Sequence, residues 1–213
     1  MSHSPLSIKL TKDIEKDEKK KYGIFFTPQD TIQKNIDVLG PYMSNITDVL
    51  EPSCGSCEYI NKLQNSYDNL NITGIELNKN IFKSIKKLEN DRVKLLNVDF
   101  IDYQFQQKYD LILGNPPYLV IPKKDLDEYY HDYFVGRPNI FIPFIIKSLD
   151  LLKENGILSF VLPKNFLNSH YYDRTRKHII KNFTILDMFE CDDKYIDTSQ
   201  DTLILILQNK KPN

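Results

Sequence analysis

The chain has 213 residues, 41% of them hydrophobic and 12% aromatic, and a formal net charge of -1, which is enough apolar matter for one substantial core. No apolar run approaches the roughly 20 residues that span a bilayer, and the N-terminal MSHSPLSIKL lacks the apolar core of a signal peptide, so a soluble, intracellular protein without a membrane partner is expected. The near-neutral charge argues against strong unaided binding to duplex DNA. Three cysteines exclude a disulfide framework, and Cys54 and Cys57 form a lone CxxC without the second pair of a structural zinc site, so no metal is expected.

In chain order, residues 1–21 carry the mixed charge run TKDIEKDEKK and read as a solvated lead-in to one domain over 22–213. FFTPQDTIQKNIDVL predicts a helix with Pro28 in its first turn and Ile32, Ile36 and Leu39 on one face. TDVLE reads as a strand, CEYINKLQN as a helix and NITGIEL as a strand ending on an acid. NKNIFKSIKKLEN predicts a helix capped by Asn78, with Ile81, Ile85 and Leu88 inward, before the strand KLLNV. YDLILG is a fourth strand running into Asn-Pro-Pro-Tyr at 115 to 118. NIFIPFIIKSLDLLKENG reads as a helix stopped by Gly156, ILSFVLP as a fifth strand, KNFLNSHYYDRTRKHIIKN as a helix, and TILDMFE and TLILILQ as two closing strands. Strands alternating with helices imply a doubly wound, three-layer α/β/α domain with a mostly parallel sheet, and ligands beyond the carboxyl ends of its strands.

The unusual residues fall at those ends. Strand one ends in EPSCGSCEY, where Glu51, Ser53, Cys54 and Gly55 make a tight turn beside a helix N-terminus. Strand two ends at Glu76 and Leu77; an acid there accepts hydrogen bonds from two ribose hydroxyls. Strand three is followed by Asp99 and Phe100. These acids outline a nucleoside pocket, and without a GxGxxG motif a nucleoside cofactor such as S-adenosylmethionine is expected rather than a dinucleotide. NPPY is either a punctuated loop or a holder of something flat and hydrogen-bonding.

GIFFTP at 23 to 28, EPSCGS at 51 to 56, GIEL at 74 to 77, DFID at 99 to 102 and DLILGNPPY at 110 to 118 together resemble the ordered motifs of S-adenosylmethionine-dependent DNA adenine-N6 methyltransferases with the cofactor motifs first. NPPY alone also occurs in the glutamine methyltransferases that modify release factors. The family's turn commonly reads CGSG, and Cys57 stands here in place of its last glycine. The resemblance implies a Rossmann-like fold with seven strands, the last antiparallel. It implies a cofactor site at Thr27, Pro28, Glu51, Ser53, Cys54, Gly55, Glu76, Leu77, Asp99, Phe100 and Asn115, and a methyl-transfer site at Asn115, Pro116, Pro117 and Tyr118. It further implies that Tyr118, Tyr195 and Asn139 contact a flipped adenine of DNA, with Phe189 the alternative to Tyr195. Little chain follows the closing strand, so a catalytic domain without a target-recognition domain is expected, its sequence specificity coming from a separate subunit, from the 119–138 loop, whose aromatics either cover substrate or pack on the surface, or hardly at all. The rival expectations are a protein glutamine or RNA adenine methyltransferase and an inactive cofactor-binding subunit.

Overall fold

The computed structural model describes residues 3–191, 195 and 200–212; residues 192–194 and 196–199, between the closing strands, lie outside the described residues. Strands β1 (Asp48–Glu51), β2 (Asn71–Ile75), β3 (Val93–Leu96), β4 (Tyr109–Gly114), β5 (Leu152–Pro163), β6 (Thr184–Cys191) and β7 (Thr202–Gln208) form one sheet in the order β3-β2-β1-β4-β5-β7-β6. β1 to β5 pair in parallel, and β7 runs antiparallel to both β5 and β6. The expected Rossmann-like sheet with its antiparallel last strand is therefore the one observed.

Consecutive residues of a strand point to opposite faces, and both faces are covered. Val49, Leu111, Leu113 and Ile206 pack with Ile32, Ile36 and Leu39 of α3 (Gln29–Leu39) and with Tyr59, Ile60 and Leu63 of α4 (Glu58–Ser66). Leu50, Ile112 and Leu207 pack on the other side with Phe141, Ile142, Ile145 and Leu149 of α6 (Phe141–Leu151) and with Ile179 of α7 (Asp173–Asn182). This double burial is why the strands read as unbroken apolar runs. α5 (Lys79–Ile85) is capped as expected, the Asn78 side chain accepting from the backbone N–H groups of Asn80 and Ile81. Among the described residues, no helix is long and apolar enough to cross a membrane.

Three expectations change. The charged lead-in is helical, as α1 (Pro5–Asp13) and α2 (Lys16–Tyr22). Ser4 caps α1 and accepts from Ser7 N–H, with Pro5 in the first turn, and Leu10 and Ile14 are buried with Phe26 and Ile81. α6 ends at Leu151, well before Gly156. Gly156 instead sits inside β5, where a Cβ would lie 2.9 Å from the Lys153 carbonyl oxygen and 3.0 Å from that of Tyr109. Finally, α7 begins only at Asp173; the segment before it forms two short 3-10 turns, pinned by Phe166 and Tyr172, which stack on each other and meet Phe141 edge-on.

A buried polar chain crosses from one helical layer into the sheet. Ser159 of β5 donates to Asn35 Oδ1 (2.6 Å), and Asn35 Nδ2 donates to the Tyr59 hydroxyl (3.0 Å). All three residues are buried. Asn35→Ala would strand two hydroxyls at once, so it is expected to lower unfolding free energy by about 2–4 kcal/mol, read as a lower urea midpoint at unchanged m-value.

Candidate active site

The sheet order reverses at β1, whose neighbours are β2 and β4, and a crevice opens beyond the carboxyl ends of these two directions of winding. β4 enters it through Gly114, which has φ +146° and whose Cβ, if present, would lie 3.4 Å from Glu51 Cγ. Glycine here lets the acid of β1 and the turn after β4 share one space.

Asn115 follows, held from three directions. Ser53 Oγ donates to its backbone carbonyl (3.0 Å), and its side-chain Nδ2 donates to Thr27 Oγ1 (3.1 Å) and approaches the Phe25 carbonyl (3.5 Å). A backbone carbonyl can only accept, so the amide nitrogen must be the atom that faces Phe25. That leaves Asn115 Oδ1 on the other side, buried and without a hydrogen-bond partner. Pro116 is buried and Pro117 partly so; a Cβ on Gly23 (φ +63°) would meet Pro117 Cβ at 3.1 Å and Tyr118 N at 3.2 Å. Tyr118 is anchored by its hydroxyl, which donates to the Val161 carbonyl (2.9 Å), and its ring meets Phe141 edge-on. Burial pushes this phenol well above its usual pKa, so it stays a neutral donor.

Beside Asn115 lies a cleft of about 790 Å³, open solvent included, whose walls include Tyr22, Glu76, Leu77, Asp99, Phe100 and Phe144. A smaller cleft of about 290 Å³ adjoins it, lined by Thr27, Glu51, Ser53, Cys54, Gly55 and Asn115. Glu76 Oε2 accepts from Gly55 N–H (3.0 Å) and Oε1 from Asn78 N–H (2.7 Å). Burial outweighs these bonds and pushes its pKa up to about 7. Glu51 is buried, its Oε2 has no partner, and burial, with the nearby carboxyls of Glu58 and Glu76, raises its own carboxyl well above the ordinary range. Asp99 Oδ1 accepts from Ile101 N–H (2.8 Å), and Leu77 exposes its side chain at the rim. An unpartnered acid, a second acid with one lone pair per oxygen already used, and an apolar wall between them fit an aminoacyl-nucleoside ligand. Its ammonium would go to Glu51, its ribose to Glu76 and its base to Leu77 and Phe100.

Other expected site residues take different places. Pro28 is buried at the start of α3 and lines neither cleft. Thr27 lines the smaller one and spends its hydroxyl on Asn115. Asn139 Oδ1 accepts from Leu119 N–H (3.1 Å) and Phe141 N–H (3.4 Å), so its side-chain oxygen ties the segment after NPPY to the start of α6. Tyr195 is 7% exposed and Phe189 packs on the core. Cys54 and Cys57 are buried free thiols, and burial raises Cys54 well above the ordinary thiol range. In the 119–138 loop, Leu126, Tyr130 and Phe134 are buried in the core and Tyr129 donates to Asp150 (2.8 Å), so its aromatics pack on the helices. The N-terminal helices were missed as site elements. Tyr22 and Lys21 line the larger cleft, Asn78 donates to Glu18 (2.7 Å), and Ser7 donates to Glu58 (2.6 Å). The signal available was Ser4-Pro5 followed by Leu6, Leu10 and Ile14 at helical spacing.

Both buried acids hold protons more tightly in the folded chain than in the unfolded one. Their favourable contribution is complete below the ordinary glutamate value of 4.5 and is lost as pH rises, through about 7 for Glu76. Glu51→Gln removes one of them. The unliganded variant is expected to match wild type near pH 4 and to exceed it by about 1–3 kcal/mol near pH 8, measured by chemical denaturation across that range.

The Eco57I restriction-modification methylase family profile matches residues 24–196. The modification methylase CviBIII of Paramecium bursaria Chlorella virus NC1A is 33% identical over 208 residues, covering 93% of this chain and 52% of that protein. A tRNA1(Val) (adenine(37)-N6)-methyltransferase of Actinobacillus pleuropneumoniae serotype 5b is 30% identical over 105 residues, covering 47% of this chain and 44% of that protein. Among solved structures, one from Listeria monocytogenes described as a class I S-adenosylmethionine-dependent methyltransferase superposes with a TM-score of 0.74 at 17% identity, over 87% of this chain and 61% of that one. That likeness is one of fold. The chain spans about half the length of curated relatives that it matches along most of its own length, 52% and 53% of two of them. With the profile running from the segment that holds Asn115 to the region of the last two strands, the chain belongs to the Eco57I restriction-modification methylase family.

Proposed function

We propose that this chain transfers the methyl group of S-adenosylmethionine to the exocyclic amino group of adenine in DNA, with the target base flipped out of the duplex. The observation that carries the reading is Asn115 Oδ1, a buried acceptor without a partner at the end of β4, while its Nδ2 is engaged by Thr27 and Phe25. Family membership and the restriction-modification relatives support DNA as the substrate. The name of the tRNA relative supports adenine N6 as the accepting atom, and favours RNA as the second reading.

An adenine amino nitrogen is a poor nucleophile because its lone pair is delocalised into the ring. If Asn115 Oδ1 and the Pro116 carbonyl each accept one amino hydrogen, the nitrogen is drawn toward tetrahedral geometry and its lone pair is freed. The two prolines fix the backbone before substrate arrives, so the gain is preorganisation rather than proton abstraction. Tyr118, held by Val161, offers a ring for stacking, worth about 1–3 kcal/mol per base, against the few kcal/mol that flipping costs. The bound cofactor supplies an electrophilic methyl group on a sulfonium. Glu51 and Glu76 hold its ammonium and ribose ends, and Leu77, Phe100 and Phe144 bury its base. With 28 lysines and arginines set against 29 acids, the chain has no positive excess to drive phosphate contacts. We therefore assign recognition of a particular DNA sequence to a further segment or a partner subunit.

Purified protein incubated with radiolabelled S-adenosylmethionine and, in separate arms, DNA, RNA and a release factor is expected to label DNA, and its hydrolysate to contain N6-methyladenine. Label in cytosine, or only in RNA or protein, would replace the reading. In the DNA arm Asn115→Ala is expected to lower kcat by about 10²–10³ while leaving cofactor affinity nearly unchanged, and Asn115→Asp to retain part of the activity because a carboxylate still accepts. Glu76→Ala is expected to weaken cofactor binding at least about tenfold by calorimetry. The wild-type affinity should fall as pH drops below about 7, where the Glu76 carboxyl takes up a proton and loses acceptor strength for the ribose hydroxyls.

A further inference from the structure

We propose that Thr27 is a positioning residue for methyl transfer: its hydroxyl, with the Phe25 carbonyl, sets the rotation of the Asn115 amide so that Oδ1 and not Nδ2 meets the acceptor amine. The proposal rests on the reading of Asn115 given above. The two ends of a side-chain amide are nearly the same size, and the torsion that exchanges them is broad and two-fold. Left alone, the group could present Nδ2, whose hydrogens would face those of the substrate amine. A turned amide would bind the base poorly and leave the lone pair delocalised.

Two atoms act together against this: the carbonyl selects nitrogen over oxygen, and the Thr27 hydroxyl, which can donate or accept, fixes the amide's place by accepting from Nδ2. The Phe25 carbonyl can only accept, so it selects the nitrogen, but at 3.5 Å it is a long contact. Thr27 Oγ1, at 3.1 Å, is the closer partner of Nδ2. Thr27 is 7% exposed, and a β-branched residue has a stiff χ1, so its oxygen is well placed to keep a fixed position. The segment that carries both partners is itself held down. Ile24 N–H donates to the Lys19 carbonyl (3.0 Å), Phe26 is buried with Leu10, Ile14 and Ile81, and Gly23 packs on Pro117. The same stretch, GIFFT, thus crosses the NPPY turn at both of its ends. It lines the larger cleft through residues 23–26 and clamps the amide through Phe25 and Thr27.

The test uses Thr27→Val, which keeps the shape and removes the hydroxyl, and Thr27→Ser, which restores it. Thr27→Val is expected to lower kcat about ten- to hundredfold with cofactor affinity within about twofold of wild type, and Thr27→Ser to recover most of the rate. A readout independent of activity is the side-chain NH₂ pair of Asn115 in protein labelled with 15N-asparagine, identified by its loss in Asn115→Ala. Thr27→Val should shift that pair and speed its exchange with water, and Thr27→Ser should leave it near its wild-type position. An unmoved pair, an unchanged kcat, or a fall in cofactor affinity that matches the fall in rate would overturn the proposal. Should the pair respond as expected while wild-type protein methylates neither DNA nor RNA, the hydrogen bond stands and the adenine reading of the site fails.

Discussion

The crossing of residues 23–27 over the turn that ends β4 is the contact on which the rest of the site depends. Inside a sheet, the end of a buried strand has its polar groups met by its neighbours. Past Gly114 those neighbours stop, and the chain must satisfy Asn115 by other means. It does so with Ser53 from the turn after β1 and with Phe25 and Thr27 from the segment before α3. One acceptor, Oδ1, is left over. Because Gly114 carries no side chain, the Glu51 carboxyl lies against the same turn. The Glu51 carboxyl and the Asn115 backbone are thus brought together by the parallel pairing of β1 with β4, while Phe25 and Thr27 fix the rotation of the amide.

That arrangement costs stability before any ligand arrives. Glu51 and Glu76 are both buried, and Glu76 is a Coulombic neighbour that makes the ionised form of Glu51 harder to keep. Backbone N–H groups of Gly55 and Asn78 relieve Glu76 in part and its carboxyl settles near 7, while burial and negative neighbours also push Glu51 well above its ordinary range. The desolvation that penalises these groups in the empty site also strengthens their attraction for a cationic or hydroxyl-bearing ligand once water is displaced. Ligand binding and folding stability should therefore be strongly linked in this chain. The two apolar layers, one on each face of the sheet, supply the stability that the acids remove.

Much of this was legible in the residues. Strands buried on both faces show as apolar runs, and their ends are marked by Glu51, Glu76, Asp99 and Asn115 because polar residues appear where the core stops. What stayed hidden was decided by tertiary contacts. No local feature of the sequence announces the tie made by Asn139; its two backbone donors, Leu119 and Phe141, come together only after the loop has folded. The aromatics of that loop have no period because they pack against several elements, Tyr133 alone meeting His178 edge-on and accepting through its carbonyl from Thr175 (2.6 Å). The charge run before residue 22 concealed α2 because that helix has no buried residue of its own; its order comes from Asn78 and Glu18, a pairing that no spacing rule reveals.

Cys57 shows how the local departure from the family's turn is accommodated. It sits at φ +61° and ψ +33°, the left-handed region, at the N-cap of α4, where a glycine would be free of strain and a side chain costs roughly 1–2 kcal/mol. Its thiol is fully buried in the cluster that contains Leu63, Ile72 and Leu113, and burying a group of that size returns a comparable amount, at about 0.8 kcal/mol for each methylene equivalent. The exchange is nearly neutral, so a cysteine can stand there without moving the turn: Gly55 N–H still reaches Glu76, and Cys54 N–H still donates to the Ile75 carbonyl (2.8 Å). Room for the second thiol is made from the far side, since a Cβ on Gly74 would approach Cys54 Sγ to 3.2 Å. Burial and the neighbouring Cys57 thiol keep Cys54 protonated, and a protonated, buried thiol behaves as a small apolar group. The pair that reads in the sequence as half of a metal motif is thus the packed floor on which the cofactor turn rests.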